Sequence, residues 1–355
     1  MTAHWRFADR ARLAVLCALV TFVFATTEGS VQTTPAPRQI PARTLPTPNT
    51  VSPDMQRLLS TPIPDNWNTP PKTPEEWKAF AATVNQAAAN LQPLRDRFGV
   101  KSEPIVVNGV KAYMLTPNTI PPENRNRLLM HLHGGCYVLG GGEAATSEAT
   151  YLAGYGHFKV LSIDYRRPPE FRYPAALDDA VSAWKAALKM SDPKRMAIFG
   201  ASAGGALTLS TVLRLKQEGL PLPAAIGPGT PMSDLTKTGD SFYTNYMVDN
   251  TLVGTEGRCQ AMAEQYAGGR DLKDPMLSPV YGDMRGFPPS ILTTGTRDLL
   301  LSNTVRVHRK LRQAGVVAEL HVYEAQAHGN YLRGTPESEE VFGEMARFFD
   351  QHLQK

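Results

Sequence analysis

Cysteine is scarce: three residues in 355 are too few for a disulfide scaffold. Neither sign of charge is in large excess. The formal +4 comes from 37 Lys+Arg against 33 Asp+Glu, and residues 1–50 alone hold five Arg against Asp9 and Glu28, leaving +1 for the rest. No basic run follows a phosphate backbone, so the chain has no electrostatic footprint for nucleic acid. Long apolar runs are also missing. The thirteen residues Leu13 to Ala25 fall short of the roughly 20 that a helix needs to span a bilayer. With 42% hydrophobic and 20% charged residues, the composition is that of an ordinary globular chain and excludes disordered, collagen-like and polytopic membrane classes. This length accommodates one large α/β domain or two smaller ones.

The apolar run has a different meaning. Arg6, Arg10 and Arg12 precede it, and Val23 and Ala25 are placed for leader-peptidase cleavage, which is the pattern of a secretory signal peptide over residues 1–25. Export to the periplasm or the medium is therefore expected, with no stable membrane span after cleavage. Cys17 leaves with the leader, so Cys136 and Cys259 remain. Residues 26–52 are rich in Thr and Pro without apolar periodicity and are expected to form a linker.

Beyond the linker, Thr73-Pro-Glu-Glu76 combines an N-cap, a first-turn proline and acids. Trp77, Phe80, Ala81, Val84, Ala88 and Leu91 follow at helical spacing, predicting an amphipathic helix. Such a face also suits packing against a second copy of the chain. Strands are expected at 104–107, 111–115, 127–132, 160–164, 195–199, 224–226, 290–294 and 318–323. Helices are expected at 143–155, 174–189, 202–216, 302–314 and 336–354. This alternation predicts a mostly parallel sheet with helices on both faces and a ligand at the carboxyl ends of the strands. Residues 235–270 break the rhythm with aromatics and Met and predict an excursion above the sheet.

The strongest chemical signal is Gly200-Ala-Ser202-Ala-Gly204-Gly205, between the apolar strand Met196 to Phe199 and a helix-forming run. It is G-x-S-x-G in strand-turn-helix context, where a tight turn exposes a serine Oγ and small neighbours let the backbones approach. A serine hydroxyl is a weak nucleophile without a base, and the base needs an acid to fix its tautomer. Asp298 follows the strand 290–294, and His328 lies in the loop after the last strand. His308, His321 and His352 fall within elements and are expected to pack or face solvent. His131-Leu-His133-Gly134-Gly135-Cys136 ends a strand in a loop able to aim N–H groups at a carbonyl oxygen, with Ala203 N–H from the serine turn. A metal on His131 and His133 lacks a third ligand. Gly140-Gly141-Gly142 followed by Asp164 mimics a dinucleotide fingerprint but starts too far beyond its strand. No metal or organic cofactor is expected.

Together these motifs resemble the hormone-sensitive lipase family of α/β-hydrolases over residues 54–355. His133-Gly-Gly135 resembles the start of its oxyanion loop, and Asp164-Tyr-Arg166, Pro169-Glu170 and Pro174 to Asp179 resemble the segment after its fourth strand. Gly200 to Gly205, Asp274-Pro275 with Ser278-Pro279, Gly295 with Asp298, and His328 match its remaining landmarks. The resemblance implies an eight-stranded α/β-hydrolase fold with a helical cap from 53–100 and 235–270. It further implies a serine carboxylesterase with triad Ser202, Asp298 and His328, an oxyanion hole from Gly134, Gly135, Cys136 and Ala203, and a small-molecule ester as substrate. A lactonase or amidase with the same triad, and a ligand-binding protein on the same scaffold, are the other readings. Cys136 stands where the family has its third oxyanion glycine, and Ala201 where it often has an acid. Pairing of Cys136 with Cys259 cannot be read from the sequence, and a free thiol is expected because one lies in a catalytic loop and the other in the cap.

Overall fold

The computed structural model describes residues 37–355; the leader over 1–25 and the first part of the linker lie outside them. Residues 37–45 carry no helix or strand. From Pro46 onward the chain forms one compact unit. In order it runs α1 (Pro53–Leu59), α2 (Pro74–Ala88), α3 (Gln92–Phe98), β1 (Val100–Val107), β2 (Val110–Pro117), β3 (Leu128–Leu132), α4 (Ser147–Gly156) and β4 (Lys159–Ile163). It continues through α5 (Ala175–Ala187), β5 (Met196–Ala201), α6 (Ala203–Gln217), β6 (Ala225–Gly229), α7 (Ser241–Thr244), α8 (Arg258–Ala267), β7 (Ser290–Gly295), α9 (Leu301–Gln313), β8 (Ala318–Tyr323) and α10 (Pro336–His352).

The eight strands make one sheet in the order β1-β2-β4-β3-β5-β6-β7-β8. β2 is antiparallel to β1 and β4, and the pairs from β4 through β8 are parallel. Side-chain alternation explains why helices cover both faces. Met130, Leu132, Ile198, Ile226 and Leu292 join the core beneath α5, α6 and α9. Leu129, Ala197, Phe199 and Ile291 join the core beneath α4 and α10.

The expected N-terminal helix is present as α2. Thr73 caps it with a full capping box to Glu76, and Trp77 and Ala81 are buried against the chain's own core. The expected helix over 143–155 divides into a 3₁₀ turn at Gly142–Thr146 and α4. The distal end of the expected linker is tied down: Ser52 caps α1, and its N–H and Oγ donate to Glu337 at 2.7 and 2.9 Å. Residues 235–270 contain α7 and α8 and no strand.

Candidate active site

The site begins at the turn from β5 into α6. Ser202 adopts φ 60° and ψ −121°, a conformation that costs a residue bearing a Cβ and persists only when its surroundings enforce it. The enforcement is visible. Ser202 N–H donates to Gly229 O at 2.9 Å, and Met232 N–H donates to Ser202 O at 3.0 Å. A Cβ on either Gly200 or Gly204 would overlap the carbonyl oxygen of Leu132, so β3 passes close enough to exclude any side chain there.

The turn after β7 carries Asp298, which is 1% exposed. Its Oδ1 accepts from Leu300 N–H at 2.8 Å and faces His328 Nδ1 at 3.0 Å. Its Oδ2 accepts from Thr294 Oγ1 at 2.9 Å and from Thr230 Oγ1. With Nδ1 donating to a carboxylate, Nε2 of His328 is left with its lone pair free. Burial of the imidazole opposes its charging, yet the Asp298 carboxylate, and behind it Asp249, hold the His328 pKa above the ordinary value. Burial likewise opposes ionisation of Asp298, but His328 and the hydrogen bonds from Thr230 and Leu300 hold its pKa below the usual carboxylate value. Ser202 and His328 line the same cavity of about 560 Å³.

Gly134, Gly135 and Cys136 line that cavity too. The loop presses on the serine turn: a Cβ on Gly134 would meet Ala201 O at 3.0 Å and Ser202 Cβ at 3.4 Å. The structure therefore pairs Asp298 with His328 and places Ser202, His328, Gly134, Gly135 and Cys136 around one cavity. The free thiol is overturned. Cys136 forms a disulfide with Cys259 across 123 residues of sequence, their Cα atoms 5.4 Å apart. α8 folds directly over the loop, so two segments that look remote in sequence share one wall of the cavity. The 53–100 and 235–270 segments also touch, with Trp67 on the cavity wall and edge-on to Tyr246 at 6.2 Å.

Five other histidines are occupied elsewhere. His321 bonds Glu344 and Glu319 at 2.5 and 3.0 Å, His308 faces Ala318 O at 3.3 Å, and His352 packs on Phe348 at 4.4 Å. His131 lies between Ser162 Oγ at 2.9 Å and Glu148 Oε2 at 3.0 Å. His133 stacks on Tyr165 at 4.0 Å and donates Nδ1–H to Gly134 O at 2.7 Å; burial, then Arg167, pushes its pKa well down. Among the described residues no group of three His, Cys, Asp or Glu is placed to hold a metal. In the glycine run, Gly140 N–H donates to Asn85 at 2.8 Å and Gly142 N–H to Asp164 at 3.1 Å, so these amides are spent on the protein.

Two acids escaped the sequence reading. Asp249 is fully buried and accepts from Leu299 N–H at 2.8 Å and His328 N–H at 3.3 Å, bracing both loops that carry Asp298 and His328. Its own pKa is raised by burial and by Asp298. Glu148 on α4 accepts from Ala201 N–H at 3.0 Å, placing a carboxylate beside the position where the family's acid is replaced by Ala201. Neither acid sits in a motif, and only the long-range packing of the insert and of α4 reveals them.

Comparison with known proteins agrees with this arrangement. Residues 129–332 match the model of the alpha/beta hydrolase fold family. The esterase E25 superposes with a TM-score of 0.86 at 43% identity, covering 90% of this chain and 99% of that one. A bacterial hormone-sensitive lipase family esterase gives a TM-score of 0.73 at 30% identity, covering 85% and 99%. An acetyl-hydrolase of Streptomyces hygroscopicus is 35% identical over 56% of this chain and 64% of its own length. By motif order, fold and these likenesses, the chain belongs to the hormone-sensitive lipase family of α/β-hydrolases.

Proposed function

We propose that the protein is a serine carboxylesterase acting on short- to medium-chain esters. The observation that carries this is the Asp298–His328 pair, its free Nε2 sharing one cavity with Ser202 on a strand-to-helix turn. His328 Nε2 takes the Ser202 proton as Oγ attacks the ester carbonyl. Negative charge on that oxygen is met by N–H groups of Gly134, Gly135, Cys136 and Ala203. His328 then returns the proton to the departing alkoxide, which leaves as the alcohol. A water deprotonated by His328 attacks the acyl-serine, and the same proton restores Ser202 as the acid departs. Asp298 holds the imidazole tautomer and stabilises its charged form.

Names of the relatives support the reaction class: the acetyl-hydrolase of Streptomyces hygroscopicus and an esterase of Acinetobacter venetianus, the latter 28% identical over 75% of this chain. Leu139, Leu252 and Met262 on the cavity wall favour an apolar acyl or alcohol group. Export through the 1–25 leader is part of the same reading, supported by the leader's composition and by a disulfide of the kind that persists in oxidising compartments. Hydrolysis of p-nitrophenyl esters of increasing acyl length tests the proposal. Turnover of short chains, with Ser202→Ala and His328→Ala each reduced by about 10⁴-fold or more, is the expected result. An inert parent, or variants equal to it, overturns it.

A further inference from the structure

The oxyanion loop and α8 are joined at two points, and both fall on residues in an unfavourable conformation. Gly135, Cys136 and Tyr137 pass consecutively through positive φ, at 104°, 51° and 67°. Glycine occupies that region freely, whereas a Cβ crowds the neighbouring carbonyl. Two of the three residues carry a Cβ. A local turn spans these residues, with Gly135 O accepting from Val138 N–H at 3.0 Å and Leu139 N–H at 2.8 Å, but it does not remove the cost of the two Cβ-bearing residues, and rotation toward negative φ would reorient the amide N–H groups of the loop.

Each of these two residues is gripped from the same helix. Cys136 is bonded to Cys259, and the Tyr137 ring stacks on Tyr266 with centroids 4.2 Å apart and planes 6° from parallel. Cys259 and Tyr266 are two helical turns apart and so share a face of α8. Both contacts are sheltered: Tyr137 and Tyr266 are 2% and 1% exposed, Cys136 and Cys259 7% and 9%.

We propose that α8 splints the oxyanion loop, with Cys259 as a positioning residue acting through the disulfide on the backbone of Cys136. The inference rests on the esterase reading above. It assigns the cap helix a part in transition-state stabilisation in addition to walling the pocket.

Four full-length proteins test it: Cys259→Ser, the double variant Cys136→Ser/Cys259→Ser, the double variant Cys136→Gly/Cys259→Ser, and Ser202→Ala. An interaction made only in the transition state appears in kcat with KM little changed. Cys259→Ser and the serine double variant are expected to lose about tenfold in kcat, because the amides drift from the oxyanion once the tether is gone. The glycine double variant, equally untethered, is expected to recover to within about threefold of the parent, because glycine holds positive φ without cost. Thermal melts check that the two doubles are equally folded. Equal kcat in the two doubles overturns the proposal, whether both are high or both low. Should the variants fail to fold, native-state reduction of the parent with tris(2-carboxyethyl)phosphine, confirmed by two new thiols, gives the same tenfold loss; unchanged kcat overturns the proposal. Parent-like activity in Ser202→Ala would instead sink the esterase reading.

Discussion

The two halves of the site are held by different means. Ser202, Asp298 and His328 stand on turns at the carboxyl ends of β5, β7 and β8, whose backbones are paired in a continuous sheet. The loop of Gly134 to Tyr137, by contrast, leaves β3 and is gripped by α8, more than a hundred residues further along the chain. The sheet half takes its frame from backbone pairing and glycine spacing, with Asp249 of the insert bracing the Asp298 and His328 loops, whereas the loop after β3 is gripped by side chains that meet only in the folded protein. Damage to the first should remove chemistry. Damage to the second should weaken it by degrees.

Two substitutions test that contrast, one in each half. Asp298→Asn should have the largest effect, lowering kcat by about 10³- to 10⁴-fold, because the imidazole loses both its tautomer and the charge that stabilises its protonated form. The pH profile adds a second readout. His328 must be neutral to act as base, and its pKa lies above the ordinary imidazole value. Activity of the parent should therefore fall as pH drops through a midpoint above about 6.5. Removing the Asp298 charge leaves burial to act with less opposition, so the midpoint of residual kcat/KM should move down in the variant; an unmoved midpoint would break the assignment. The smallest effect belongs to the cap side. Thr73→Ala removes the cap of α2 and should cost about 1 kcal/mol in a denaturant melt while kcat stays within about twofold of the parent, as fits a position remote from the reacting atoms. A large loss of kcat there would mean that the cap half is more tightly bound to the chemistry than its contacts indicate.

The same contrast explains what could be read from the sequence. Local rules sufficed for the sheet half: Gly200 to Gly205 between an apolar strand and a helix announces the turn, and strand ends followed by Asp298 and His328 announce the rest. The alternation of strands and helices gave all eight strands of the sheet, and Thr73 with Glu76 gave the start of α2. The pairing of Cys136 with Cys259 was not readable, since it depends on where α8 lands. Asp249 and Glu148 were missed for the same reason. Their carboxylates receive backbone N–H groups from Leu299 and Ala201, both far away in sequence, and no spacing rule connects them to the residues they hold. Burial supplied the rest of what was missing, as with His131, whose place between Ser162 and Glu148 makes it part of the packing.

The proposed reaction turns on Ser202 carrying the acyl group. Acid-quenching the protein during turnover of p-nitrophenyl acetate, followed by peptide mass spectrometry, tests it directly. An acetyl group is expected on the peptide containing Ser202, absent in Ser202→Ala; acetylation at another residue, or sustained hydrolysis with no adduct at Ser202 while Ser202→Ala keeps the parent's rate, would rule out that role for Ser202.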